Sequence, residues 1–208
     1  MDRKSPVTRE QAEAEELAAI GQEILINARN ELYLNMRYMD VALSALFPVP
    51  DYAVRGLQTD GISLFFHPRD LAALYRRGRA EVNRAYLHMV FHCLFGHLSG
   101  ARDPRWGNEL IWDVACDVAA ELLTDGLPYR CVHRHPSPLK REFTARLAEE
   151  VPVVTAQSVY KYLEKRQFAV QYLLRLRQEF FVDDHSLWRD SPNSDKNQKK
   201  RKNNDWDD

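Results

Sequence analysis

His88 and His92 stand four residues apart in the stretch Tyr86-Leu-His-Met-Val-Phe-His-Cys-Leu-Phe-Gly-His97. On an α-helix that spacing puts two imidazoles on one face, one turn apart. Two nitrogens so placed can grip one divalent ion. In a His-Glu-x-x-His helix the residue after the first histidine is the general base that activates a metal-bound water. Here that residue is Met89. The stretch therefore offers half a metal site and lacks the acid that would make such a site hydrolytic.

The pair must sit on a helix, and the pattern predicts one over 79–95. With His88 at zero and steps of about 100° per residue, His92 falls near 40° and Glu81 near 20°. Leu87, Val90, Phe91 and Leu94 fill the opposite half. A helix apolar nearly all round is buried, so histidines inside it need partners. His97 would face away on an unbroken helix and joins the pair only if Gly96 ends or bends it. A second helix, over 108–124, carries Glu109, Asp113, Asp117 and Glu121 at every fourth position. Its apolar arc is centred on Val114, Val118 and Leu122. Glu121 falls inside that arc and Asp117 at its border, while Asp113 and Glu109 drift toward solvent. Asp117 and Glu121 are thus the acids placed to meet another buried group. Glu81, Glu121 and Asp113 are the acids available as a replacement base. Each is read first as an ion-pair partner, or as a carboxylate that fixes a histidine tautomer through its free ring N–H.

The remaining elements build around these two helices. Thr8 reads as the N-cap of an amphipathic helix over 7–31, followed by a second helix over 32–46; Pro48 and Pro50 then punctuate the chain. Asp60-Gly61 is a turn signal, and Ile62, Leu64 and Phe66 alternate as a strand that Pro68 ends. A helix over 69–77 follows. Beyond the 108–124 helix come a Gly- and Pro-bearing loop with His133 and His135, read as exposed, and helices over 138–149 and 154–180, the latter capped by Thr155. Asp183-Asp-His-Ser-Leu-Trp188 suggests a segment docked onto the domain, with His185 anchoring the chain end rather than completing a site. The expected class is α+β and predominantly helical, with a small sheet including 62–67 beside the central helix.

Of 208 residues, 45% are hydrophobic, enough for a core, and 29 Lys and Arg nearly balance 30 Asp and Glu. That balance gives no general argument for nucleic acid or an acidic membrane. The Lys199-Lys-Arg-Lys202 run reads as a solvated linker. A weak phosphate-binding role is its only nucleic-acid reading, and no aromatic platform accompanies it. Cys93, Cys116 and Cys131 form no CxxC pair, which suits a reducing, cytoplasmic compartment, with Cys93 and Cys116 as small buried apolar groups. The N-terminus has no signal-peptide pattern, and no apolar run approaches the ~18 residues of a membrane span.

Three ordered motifs resemble a bacterial family of metallopeptidase-type domains that usually precede a von Willebrand factor A-like domain. The likeness runs from about Leu32 to Asp125, with a weaker echo at 183–188. It comprises Asp60-Gly61 followed by the strand to Pro68, the His88, His92 and His97 helix, and Trp112, Ala115 and Asp117 of a Trp-x-x-Ala-x-Asp helix. The resemblance implies a zincin-like core over 49–130; periodicity adds N-terminal helices over 1–48 and a helical extension over 131–188, and polar composition makes 189–208 a tail or linker. The likeness supports a metal on His88 and His92; Asp117, from the neighbouring helix, is the expected third ligand with His97 and Glu121 as runners-up, and zinc is the default ion for two imidazoles and a carboxylate. The resemblance also implies a peptide substrate, or a scaffold partnered by an AAA-type ATPase or an A-like domain protein. Met89 departs from the family's glutamate, so hydrolysis is the part of the resemblance this sequence does not carry.

Overall fold

The computed structural model describes residues 6–189. The first element, α1 (Pro6–Asn35), is one helix of 30 residues. The sequence suggests a break near residue 31, but Leu25, Ala28, Leu32 and Met36 continue one buried stripe across that point, and no Gly or Pro interrupts it. Thr8 lies inside this helix rather than at its cap. A 3-10 turn (Arg37–Met39) and the short α2 (Asp40–Leu43) follow.

Three short strands come next: β1 (Phe47–Pro50), β2 (Leu57–Thr59) and β3 (Ser63–Phe66). Their order is β1-β3-β2, with β1 parallel and β2 antiparallel to β3. Pro48 and Pro50 therefore lie within a strand rather than only punctuating the chain. An edge strand tolerates proline because one side needs no N–H donor. At the turn before β3, Asp60 Oδ1 accepts the amides of Ile62 and Ser63 at 2.9 and 2.7 Å, and Gly61 takes φ +94°. Leu64 and Phe66 are buried, while Ile62 precedes the strand and is exposed.

The helical body consists of α3 (Pro68–Arg77), α4 (Arg79–Leu94), α5 (His97–Gly100), α6 (Glu109–Asp125), α7 (Pro138–Glu150), α8 (Ala156–Arg166) and α9 (Val170–Phe180). The expected single helix over 154–180 is split. Gln167 adopts φ +48°, and the chain turns there without glycine or proline. Thr155 caps α8 as expected, in a reciprocal pair with Ser158.

Two apolar cores result. One joins α1, the sheet and α4; the other joins α6 through α9, with Trp112 and Trp188 among its largest side chains. Across these cores α1 packs on α4, and α6 packs on α8 and α9. The facing sides of α4 and α6 form the seam between the cores, and the polar residues of both helices collect there. Among the described residues no helix is long and apolar enough to cross a membrane. The Lys199–Lys202 run lies outside the described residues.

Candidate metal centre

α4 is buried from Val82 to His92 and α6 from Ile111 to Glu121. Their seam cannot be dry hydrocarbon, because His88, His92, Asp117 and Glu121 all face burial there with under 2% exposure. A third contributor is the segment after α9. Asp184 N donates to Leu57 O (2.9 Å) at the free edge of β2, and Gln58 Nε2 donates to Ser186 Oγ (3.1 Å). Arg102 Nε donates to Trp188 O (2.8 Å). Held at these points, the segment turns Asp183 and His185 inward.

His88, His92, Asp117 and Asp183 each present one donor atom to a common centre, all within 4.8 Å of one another. Asp117 Oδ1 lies 3.3 Å from His88 Nε2 and 3.5 Å from His92 Nε2. Asp183 Oδ1 lies 3.4 and 3.5 Å from the same two nitrogens. These separations are long for charged hydrogen bonds, which run ~2.7–2.9 Å. These four His–Asp separations are close to the edge, about 3.3–3.4 Å, of a tetrahedron whose centre is ~2.0–2.1 Å from each corner. His92 Nε2 and Asp183 Oδ2 are buried and make no hydrogen bond among the described residues, although buried polar atoms are normally satisfied. The donor set, its spacing and the orphaned nitrogen all fit a divalent cation.

The outer nitrogens are held as a metal site requires. His88 Nδ1 faces Glu121 Oε1 at 3.3 Å, so a proton on Nδ1 leaves the Nε2 lone pair toward the centre. His92 Nδ1 meets His97 Nδ1 at 2.7 Å. Gly96, at φ +66°, ends α4 and turns His97 back toward His92, the bend on which its participation depended. His97 thus touches the outer side of His92 and is not in the four-atom group. Burial, then the neighbouring histidines His92, His88 and His185, push it down to about 2. The neutral ring can accept the Nδ1–H of His92 and leave Nε2 of His92 free. Trp112 Nε1 donates to the His97 carbonyl at 3.3 Å.

His185 lies on the far side of the two carboxylates. Its Nε2 is 3.0 Å from Asp117 Oδ1 and 3.2 Å from Asp183 Oδ1. Its Nδ1 is 3.4 Å from Asp113 Oδ1, which Arg189 Nη2 approaches to 2.5 Å. The ring stacks on Trp188, with centroids 3.6 Å apart. Without metal, burial disfavours charge on His88 and His185, but their carboxylate partners outweigh it and raise both well above the ordinary histidine value. Burial likewise opposes ionisation of Asp117 and Asp183, yet His185 and the other imidazoles hold both below the usual carboxylate range.

Of the acids considered as bases, none has a free carboxylate at the centre. Glu121 Oε2 accepts Arg84 Nη2 and Arg134 Nη2, both at 2.7 Å, and Lys140 Nζ at 2.9 Å. Glu81 pairs with Arg134 at 3.4 Å, and Asp113 serves His185 and Arg189. Asp113 is buried rather than drifting toward solvent. Met89 is fully buried in the first core. His133 and His135 are exposed, with rings 5.1 Å apart. Sequence reasoning brought His88, His92 and Asp117 together but did not place Asp183. The signal was the Asp183-Asp-His-Ser-Leu-Trp188 stretch itself, where acids and a histidine adjoin a tryptophan just before a polar tail. Compared with family models, curated proteins and solved structures, the chain matches none of them.

Proposed function

We propose that this chain is a zinc-binding, zincin-like module in which the metal is structural and the fold serves as a scaffold. His88, His92, Asp117 and Asp183 are the ligands. The observation that carries the reading is the set of four His–Asp separations of 3.3–3.5 Å around the orphaned His92 Nε2. Structural zinc sites are closed by four protein ligands, whereas catalytic ones keep a position for water. Here the fourth position is taken by Asp183. When bound, the ion supplies a charge that neutralises the two aspartates and ties the segment after α9 to α4 and α6. Met89 in the glutamate position, and Glu121 already bound by three cations, support the scaffold reading over hydrolysis.

The family resemblance extends this proposal to a partner, an AAA-type ATPase or an A-like domain protein. It leaves peptide hydrolysis as the reading that the closed site disfavours. The test is metal content by mass spectrometry on protein purified without a metal-affinity tag, beside His88→Ala, His92→Ala and Asp183→Ala. About one zinc per wild-type chain, lost in the variants, is expected. A wild type that stays metal-free after zinc reconstitution would sink the proposal. Zinc-loaded protein that cleaves unstructured peptides would replace the scaffold with an enzyme.

A further inference from the structure

Glu121 meets His88 with one oxygen and also lines a cavity of ≈360 Å³. The cavity lies among α3, α4, α6, the Arg134 loop and the end of α9. Its apolar wall is Leu57, Leu71, Leu74, Ala85, Phe181 and Val182. Its charged residues balance by count, Arg77, Arg84 and Arg134 against Asp70, Glu81 and Glu121. They do not balance by engagement.

Each acid is already served. Glu121 takes three cations, and Glu81 takes Arg134. Asp70 Oδ2 accepts the Gly56 amide at 2.9 Å and lies 3.8 Å from His67. The donors are in surplus. Arg84 is 2% exposed, and its Nη groups reach Val132 O, Glu121 and Asp125. Its Nε is buried and has no hydrogen-bond partner among the described residues. Arg77, exposed at the rim, makes no side-chain hydrogen bond or ion pair among the described residues. Arginine can only donate, so the chemistry these groups lack is an acceptor. An unmatched buried donor favours a ligand that supplies one, most strongly an anionic one. Pockets that combine an apolar wall with a few convergent polar groups are typical of small-molecule sites.

We propose that this cavity binds a small organic carboxylate with an apolar tail. The carboxylate lies against Arg84 and Arg77, and the tail against Leu57, Leu71 and Leu74. This site does not depend on the metal reading, because none of the four metal ligands lines it.

The experiment is titration of the full chain, as purified, with hexanoate and separately with hexan-1-ol, followed by ligand-observed NMR and calorimetry. Hexanoate is expected to bind saturably, and the alcohol ~10-fold more weakly, the loss of about one charge-assisted hydrogen bond. Arg77→Gln, at an exposed rim position, should weaken hexanoate ~3-fold or more without disturbing the fold. Leu74→Trp, which fills the cavity from α3, should abolish binding. Circular dichroism confirms that both variants are folded. Absence of saturable hexanoate binding to folded wild type overturns the proposal. So does binding that neither variant weakens, or equal affinity for acid and alcohol.

Discussion

Asp183→Asn is the most informative single substitution in this molecule. It keeps the size of the side chain, removes the charge of the fourth donor, and lies on a segment that no helix periodicity ties to α4 or α6. With free zinc at ~100 times the dissociation constant, binding to the folded state alone stabilises wild type by ~2.7 kcal/mol. Losing an outer partner of a metal ligand weakens affinity by up to ~100-fold, so losing a ligand should cost at least that. At the same free zinc the variant then sits near its own dissociation constant and gains only ~0.4 kcal/mol. The difference, ~2.3 kcal/mol, corresponds to ~5–9 °C in Tm for a chain of this size. The assay is the zinc-induced rise in Tm of each protein at fixed free zinc, set with a chelator buffer. Taking the rise within each protein cancels whatever the substitution does to the metal-free fold. A full rise in Asp183→Asn, or none in wild type, would refute Asp183 as a zinc ligand.

Three further outcomes follow from the same geometry. Arg84→Met should leave Glu121 and Asp125 short of a buried cation and lower the unfolding free energy by ~3–5 kcal/mol, read as a reduced urea midpoint at constant slope. Met89→Glu should not restore hydrolysis. Met89 is fully buried in the first core, so a carboxylate there should destabilise by ~3 kcal/mol or more, and a stable variant that cleaves peptides would contradict the closed-site reading. In the metal-free protein the pH dependence has two limbs. Asp117, Asp183 and Glu121 are depressed, so their stabilisation is present above about pH 4 and is lost as pH falls through their folded values. His88 and His185 are raised, so theirs is complete below about pH 6.5 and is lost as pH rises through their folded values. Urea titrations from pH 3 to 10 should show maximum stability between those limits.

Much of the site was legible because helices carry a local code. The four-residue spacing of His88 and His92, and the burial of α4, follow from a 3.6-residue period that any window of sequence displays. The same holds for Asp117 and Glu121 on α6, whose repeat of four follows one helical stripe. The Asp60-Gly61 turn and the alternation of Leu64 and Phe66 were likewise local. Where local signals are weak, the reading slipped. The kink at Gln167 has no glycine or proline to announce it. Pro48 and Pro50 look like breakers until the sheet supplies an edge where a missing N–H costs nothing.

What sequence alone determined is a pair of histidines on a buried helix, acids on a second helix to face them, and an apolar Met89 between the two histidines. Tertiary structure decided how that half-site closes. Asp183 lies 66 residues beyond Asp117 in number, yet its oxygen approaches the same two nitrogens to 3.4 and 3.5 Å. That meeting depends on Asp184 pairing with the edge of β2 and on Trp188 packing beside His92 and His185. Neither contact has a sequence period, because each is made between elements whose separation along the chain is arbitrary. The division of labour among His97, Glu121 and His185 was decided in the same way. All three are polar residues near the pair, and only the direction from which each approaches a ring nitrogen or a carboxylate separates them from the four donor atoms that share one centre.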